Sequence, residues 1–379
     1  MGVLSWVSLA LVGYVAVSLL WHLNLSLLGK GILLLIFIVI SQKFAVFAAL
    51  GGEMFNPAMS RTALLIWESL YNILLVLVPL LIIKDVGYWV TKGVGMLAGK
   101  HFVWPLSLDW VKWGLLLFSI AGGIYGTYAA LKVPDVHRVE VRLQNLDPAF
   151  DGYRIVQMAD LHVGQLIRRP WLEVVVNKAN ALKPDLILLT GDMVEGRASA
   201  LAEEVKPYAR LRADDGVFAV TGNHEYWHGH KAWIEYFEGI GIEMLENRHF
   251  VVSRGNAHLV IAGTSDRSAL RFGSNDGPDL KTALAGAPEG TVILLAHQPL
   301  GARALEGVDL QLSGHTHGGL YLLIQPIIAY FNDGFVDGLY QANDRAQIYV
   351  SPGTGLWTGM ALRLGVPSEI TEITLRCAN

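Results

Sequence analysis

Cysteine is almost absent: Cys377, close to the C-terminus, is the only one in 379 residues. A lone thiol excludes an intramolecular disulfide framework and a cysteine-rich metal site, and leaves the compartment undecided. Charge is scarce as well, with 29 Lys and Arg against 33 Asp and Glu and a net charge of −4. No block of basic residues stands out and no aromatic stripe alternates with them, so nucleic acid is not an expected partner. What fills the chain instead is apolar: 53% of residues are hydrophobic, more than a soluble protein of this size carries. Part of the chain is therefore expected in lipid.

Four apolar runs near the start meet that expectation. About 20 apolar residues at 1.5 Å each cross a hydrocarbon core of roughly 30 Å, and spans are read at residues 3–23, 28–50, 62–83 and 111–131. A cleaved signal peptide is the competing reading of the first, but a basic n-region and a small-x-small site are missing and three more runs follow. The second run is interrupted by Ser41-Gln42-Lys43, the third carries Glu68 and Asn72 on one helical face, and the fourth has Gly122, Gly123 and Gly126, which permit close helix contact. The stretch from Lys84 to Trp110, with Tyr88, Trp89, Trp104 and Trp110 among Gly and Lys, reads as an interfacial connection. With a turn near Glu53 to Arg61, Lys43 and Glu68 fall at similar depth. They either pair inside the bundle, or Lys43 snorkels to the interface.

Basic residues flanking the spans are nearly balanced between the two sides. The cluster nearest the membrane, Lys132, Arg138 and Arg142, favours a multi-pass protein of the plasma (inner) membrane with its C-terminal domain in the cytoplasm.

Pro134 marks the boundary between a transmembrane region, residues 1–133, and a second domain, residues 134–379. Val139 to Leu143 alternates with period two, as an antiparallel strand with one wet face does. Buried strands are then expected at Arg154–Ala159, Asp185–Thr190 and Gly216–Thr221, separated by helices over Arg169–Leu182 and about Ala198–Leu211. Further strands follow at His258–Gly263, Thr291–Ala296 and Asp309–Leu312, and the tail, Gln347–Val350 with Ile370–Leu375, closes a second sheet. This rhythm implies an α/β domain with helices packed on sheet and functional loops at strand ends.

Those loops carry Asp160-Leu-His162, Gly191-Asp192, Gly222-Asn223-His224-Glu225, His297 and Gly314-His315-Thr316-His317. Each follows an apolar run and ends in a hard or borderline metal ligand. A pair of divalent ions needs anionic oxygens and neutral imidazoles, with one carboxylate able to bridge ions roughly 3.5–4 Å apart. The glycines beside these residues fit backbone that turns sharply where a Cβ would obstruct.

The five blocks, in that order, resemble the calcineurin-like metallophosphoesterase superfamily, over roughly the last two thirds of the chain. The resemblance implies a two-sheet sandwich flanked by helices. It also implies that Asp160, His162, Asp192 and His317 hold one metal and Asp192, Asn223, His297 and His315 the other, with Asp192 as the bridge. By the same resemblance His224 protonates the leaving oxygen while a metal-bridging hydroxide attacks phosphorus in line. Mixed imidazole and oxygen ligands suit Mn, Fe, Zn or Ni. Glu225 either orients His224 or is an exposed helix-start carboxylate. His228 and His230 are candidates for a substrate role against the reading of ordinary surface or packing histidines. Arg168, Arg169, Arg197 and Arg363 are candidates for a second phosphate or a sugar, against plain solvated arginine.

Gly-His-Thr-His-Gly-Gly followed by Leu320 is similar to the last motif of a membrane-associated branch, in which Gln is expected where Leu320 stands. That branch includes, or is similar to, enzymes cleaving the pyrophosphate of UDP-2,3-diacylglucosamine in lipid A precursor synthesis. Three functions are thus expected of the chain. One is a hydrolase of a phosphodiester or pyrophosphate bond, with a lipid-linked or nucleotide-sugar substrate and membrane lipid as partner. The others are a tethered phosphomonoesterase or phosphoprotein phosphatase, and a noncatalytic membrane scaffold.

Overall fold

The computed structural model describes every residue except Met1, Met54, Phe55, Val103, Ser274, Asn275, Thr358 and Asn379. It divides into two compact units: residues 1–129 with Gly359–Leu362, and residues 130–358 with 363–379.

The first unit is helical. Helices α1 (Val3–Ser18), α2 (Leu27–Ser41) and α3 (Lys43–Leu50) are followed by a short antiparallel pair, β1 (Gly52–Glu53) with β2 (Asn56–Pro57). The turn expected over 53–61 includes Met54 and Phe55, which lie outside the described residues. Helices α4 (Arg61–Ala98) and α5 (Asp109–Leu131) complete the unit. Among the described residues, three helices are long and apolar enough to cross a membrane: 3–22, 61–98 and 109–131. The second expected span folds as a pair of helices, α2 and α3, that are apolar enough together and bent by 52°. It breaks at Gln42, inside the polar interruption of the apolar run.

The helix that carries the third expected span does not end at Ile83: α4 runs on through Lys84 to Ala98 as one helix of 38 residues, about 57 Å long at 1.5 Å per residue. Much of the stretch expected as a connection is thus helix. Trp104 folds back against it, over Gly87, where a Cβ would meet the indole at 2.3 Å. Of the glycines expected to permit close contact, Gly123 does so, since a Cβ there would lie 2.6 Å from the Ile73 backbone nitrogen.

Lys43 and Glu68 meet within this unit, Nζ to Oε1 at 2.5 Å, both fully buried. The remaining valences are filled by the segment Gly359–Leu362. Lys43 Nζ donates to Gly359 O (3.1 Å), Ala361 N donates to Glu68 Oε2 (3.1 Å), and Asn72 Nδ2 donates to Ala361 O (2.7 Å). Backbone polar groups of 359–361 thus find partners inside an apolar bundle, which otherwise would leave them costly.

The second unit is a sandwich of two six-stranded sheets. In chain order it runs β3 (Asp135–Leu143), β4 (Arg154–Met158), α6 (Arg169–Ala181), β5 (Leu186–Thr190), α7 (Ala198–Val205), β6 (Val217–Val220), α8 (Asn223–Trp227), α9 (His230–Gly239) and β7 (Glu243–Met244). Then come β8 (Arg248–Arg254), β9 (Ala257–Gly263), α10 (Leu280–Ala283), β10 (Thr291–Leu295), β11 (Leu310–Ser313), α11 (Gln325–Tyr330), β12 (Gly338–Gln341), β13 (Gln347–Val350) and β14 (Glu369–Cys377). One sheet has the order β3-β14-β4-β5-β6-β7, the other β12-β13-β11-β10-β9-β8.

Period-two side-chain direction builds the layers. Leu259, Ile261, Ile293 and Leu295 point into the core between the sheets, against Ile155, Leu186, Leu188 and Phe218 of the facing sheet. Their neighbours Val260, Ala262, Val292 and Leu294 point the other way, onto a second cluster with Ala283 of α10. Strands covered on both faces read as continuous apolar runs, which is why they were legible as buried strands.

Three local expectations differ. β3 pairs parallel with β14, not antiparallel. The tail does not all close the second sheet: β13 joins it, but β14 inserts into the first, antiparallel to β4. The helix expected over 198–211 stops at Val205 and continues as a 3-10 turn, Lys206–Arg210, because Pro207 lacks the amide that an α-helix needs.

Candidate metal centre

The chemistry-bearing loops leave the C-terminal ends of parallel strands, where ligand sites of α/β sheets form. Asp160 lies two residues beyond β4, Asp192 two beyond β5, Asn223 three beyond β6, His297 two beyond β10 and His315 two beyond β11. Both sheets therefore deliver side chains to one end of the sandwich.

The seven residues expected as ligands all converge there. Asp192 Oδ2 lies 3.2 Å from His297 Nε2 and 3.7 Å from His162 Nε2. His162 Nε2 is 3.3 Å from His317 Nε2, which is 3.6 Å from Asp160 Oδ1. His315 Nδ1 meets Asn223 Oδ1 at 3.0 Å. Ligand atoms of Asp160, His162 and His317, and separately of Asp192, His297 and His315, lie within 4.8 Å of one another.

Backbone shape reflects what this convergence costs. Asp160, His162, Asp192, His315 and His317 all have positive φ, between 46° and 73°, a region that residues with a Cβ visit at a price of about 1–3 kcal/mol each and that clusters at functional sites. Glycine clears the space around them. At Gly222 a Cβ would lie 2.2 Å from Asp192 Oδ1, and at Gly314 2.3 Å from Asp160 Oδ2.

Outer partners set which ring nitrogen faces inward. His297 Nδ1 donates to Thr190 O (2.8 Å), leaving its buried Nε2 beside Asp192 without an aligned hydrogen-bond partner. His162 Nδ1 bonds Glu195 Oε2 at 2.9 Å. A histidine whose outer nitrogen is held by an oxygen presents the other as a lone pair, the arrangement of metal-binding imidazoles. Converging imidazole nitrogens, carboxylates and an amide oxygen fit divalent metal binding.

Electrostatics agree with an anionic, neutral-imidazole site. Burial alone would raise Asp192, yet His297 and His224 beside it hold its carboxyl well below the usual range. Burial, then the neighbouring His297, pulls the His315 imidazole down to about 3. Burial, followed by the charges of His162 and Arg363, holds His317 well below its ordinary value. Burial pushes the Asp160 carboxyl up. His162 and His297 are the exceptions: against the pull of burial, Glu195 and Asp192 hold His162 above the ordinary imidazole range and Asp192 holds His297 well above it, so a bound cation would displace protons there.

Glu195 was not singled out from the sequence, and it is the hub of the outer layer. Fully buried, it lies 2.9 Å from His162 Nδ1, 2.8 Å from His224 Nδ1 and 3.0 Å from His228 Nε2. Its place three residues after Asp192, in the same loop, was the signal available. With Nδ1 on Glu195, His224 turns Nε2 toward the cluster, 3.9 Å from Asp192 Oδ2. His228 therefore sits behind His224 rather than in the open, and His230 stacks on Tyr226 at 4.3 Å.

Glu225 is not an exposed helix-start carboxylate. It is fully buried and accepts from the backbone nitrogens of Gly222 (2.7 Å), Asp192 (3.0 Å) and Met193 (2.7 Å), bracing two ligand loops against each other. Among the candidate arginines, Arg168 turns to Gln165 and Arg169 to Glu173 on the surface. Arg363 is buried, donating to His317 O and Gly355 O, both at 2.8 Å. Its guanidinium is committed to the backbone that carries a ligand.

Residues 153–319 match the family model described as calcineurin-like phosphoesterase. The chain is 35% identical over 274 residues to the transmembrane protein with metallophosphoesterase domain of Danio rerio, covering 69% of this chain and 62% of that one. It is 32% identical over 271 residues to an uncharacterized metallophosphoesterase of Helicobacter pylori, covering 70% of each. With a Bacillus subtilis metallophosphoesterase it shares 32% identity over 274 residues, covering 68% of this chain and 92% of that one. The chain spans 62% and 60% of the length of the zebrafish and bovine transmembrane relatives. On the motif blocks, the two-sheet architecture and these matches, the chain belongs to the calcineurin-like metallophosphoesterases.

Proposed function

We propose that this chain is a multi-pass membrane phosphoesterase that hydrolyses a phosphodiester or pyrophosphate bond with two divalent ions. Its helical region is residues 1–133 and its catalytic domain residues 134–379, facing the cytoplasm. Its substrate is lipid-linked or a nucleotide sugar, with UDP-2,3-diacylglucosamine as the specific candidate. The observation that carries the reading is Asp192 Oδ2, within 4 Å of His297, His162 and His224.

Asp160, His162, Asp192 and His317 would hold one ion, and Asp192, Asn223, His297 and His315 the other. When bound, such a pair supplies charge neutralisation for phosphoryl oxygens and acidifies water. The remaining work belongs to the side chains. Glu195, held ionised by His224 and its other imidazole partners against the opposing effect of burial, orients His224 and keeps its outer nitrogen occupied. His224 Nε2, facing the cluster, delivers a proton to the departing ester oxygen. Arg363 and Glu225 fix the loops that carry the ligands, so the site is preorganised rather than assembled by substrate.

The full chain, purified in lipid nanodiscs and loaded with Mn²⁺, should cleave bis-p-nitrophenyl phosphate and UDP-2,3-diacylglucosamine faster than p-nitrophenyl phosphate. Preference for the monoester would replace this reading by a tethered phosphomonoesterase. Silence with all three substrates and every metal would leave a scaffold.

A further inference from the structure

Immediately after His317-Gly318-Gly319 the chain runs Leu320-Tyr-Leu-Leu-Ile-Gln-Pro-Ile-Ile-Ala-Tyr-Phe331, twelve residues without a charge. It folds as a turn and the helix α11, in which no residue is buried. Leu322 is 59% exposed, Leu323 45%, Ile327 57%, Tyr330 81% and Phe331 67%. A helix facing water normally turns polar residues outward. A contiguous exposed apolar patch marks a surface that meets something apolar.

The hydrogen bonding of the turn points to what that is. Tyr321 bridges Leu364. Leu322 N donates to Leu364 O at 3.3 Å, and Leu364 N to Leu320 O at 3.2 Å. Two residues before Leu364 ends the segment Gly359–Leu362, which belongs to the helical unit and is bonded there to Lys43, Glu68 and Asn72. The apolar turn is therefore bonded to Leu364, two residues along the chain from a segment that belongs to the helical unit, whose helices include ones long and apolar enough to cross a membrane. Its composition agrees: no charge selects a peptide partner, and the exposed end is aromatic, as at the headgroup layer.

We propose that Leu322, Leu323, Ile327, Tyr330 and Phe331 form a lipid-docking surface that enters the acyl region of the bilayer, beside the metal centre whose last ligand is His317. The proposal rests on the membrane reading above, and is independent of which phosphoester is the substrate. It gives the site direct contact with the lipid surface, so that a lipid-borne phosphate need not leave the membrane to reach it.

The test is lipid quenching on the full chain in phosphatidylcholine nanodiscs. In a Cys377→Ser background, a fluorophore is attached at Ile327→Cys, with Tyr330→Cys as a second patch position. Phe118→Cys, 61% exposed on α5, reports the membrane reading itself, and Glu289→Cys, on an exposed turn, reports water. At 327 and 330 the fluorophore should lose intensity to acyl-chain spin-labelled phosphatidylcholine, as at 118, and resist aqueous iodide. Quenching at 118 with 327 and 330 behaving like 289 would overturn the docking surface and leave the spans intact. No lipid quenching at 118 would overturn both. Shielding of 327 and 330 from lipid and iodide alike would also overturn it, in favour of a second copy or another protein, which chemical cross-linking then separates.

Discussion

Lys43 and Glu68 bury one positive and one negative charge against each other at 2.5 Å. Around Asp192 the chain buries Asp160, Asp192, Glu195 and Glu225 with four inward histidines, His162, His224, His297 and His317. The first set closes on itself, and its spare valences end on the backbone of Gly359 and Ala361. In the second, lone pairs are aimed at a common space and the backbone is held at positive φ to aim them. A self-neutralising pair supports structure. A convergent one is arranged for a cation that the protein itself does not supply.

The largest expected effect comes from removing the convergence point. Asp192→Asn should lower turnover by more than the roughly 10–100-fold that loss of an outer partner costs, with metal content by mass spectrometry falling in parallel. Undiminished turnover would refute the two-ion reading and dissolve the contrast between the two sets. Next is the self-closing pair. Glu68→Ala leaves an ammonium buried without its counter-charge, and such losses cost about 3–5 kcal/mol; unfolding of the full chain in mixed micelles should show it. Turnover per folded molecule, corrected for that loss, measures separately how far the helical unit acts on the site.

Glu195→Gln should lower kcat by about 10–100-fold while the folding midpoint moves little, because Gln keeps the shape and loses the charge that holds His162 and His224. Both histidines meet the same carboxylate, so metal affinity and proton delivery should weaken together. Normal metal affinity with a lowered kcat would confine Glu195 to His224.

Legibility in the sequence followed the range of the interaction. The residues that converge, and their loops, could be read because each sits just past an apolar run that ends a strand, a local pattern. Lys43 and Glu68 could be matched because both lie at similar distance from one turn. Glu195 escaped because its role depends on which imidazoles reach it from β6 and β4, across the sheet. Glu225 was misread because a carboxylate at a helix start is usually solvent-facing, and only the approach of the Asp192 loop buries it. The insertion of β14 between β3 and β4, and the capture of Gly359–Leu362 by the helical unit, have no local signature at all.

The smallest effect should come from removing both charges of the self-closing pair. If Lys43 and Glu68 serve only each other, Lys43→Met with Glu68→Leu abolishes the desolvation of two ions along with their attraction, and such replacements in other proteins are close to neutral. Here two backbone groups would also lose partners, the Ala361 amide and the Gly359 carbonyl, while Asn72 keeps the Ala361 carbonyl. An unsatisfied buried group costs about 1–3 kcal/mol, so two lower the double variant by about 2–6 kcal/mol; Glu68→Ala loses the Ala361 partner on top of its uncompensated charge and should be the less stable of the two. A double variant as unstable as the single would mean that capture of Gly359–Leu362, rather than charge pairing, is what the two side chains contribute. No equivalent rescue exists at the other set: Asp192→Asn combined with His297→Gln removes a charge and its neighbour together, yet should regain no turnover, since what is lost there is a place for a cation.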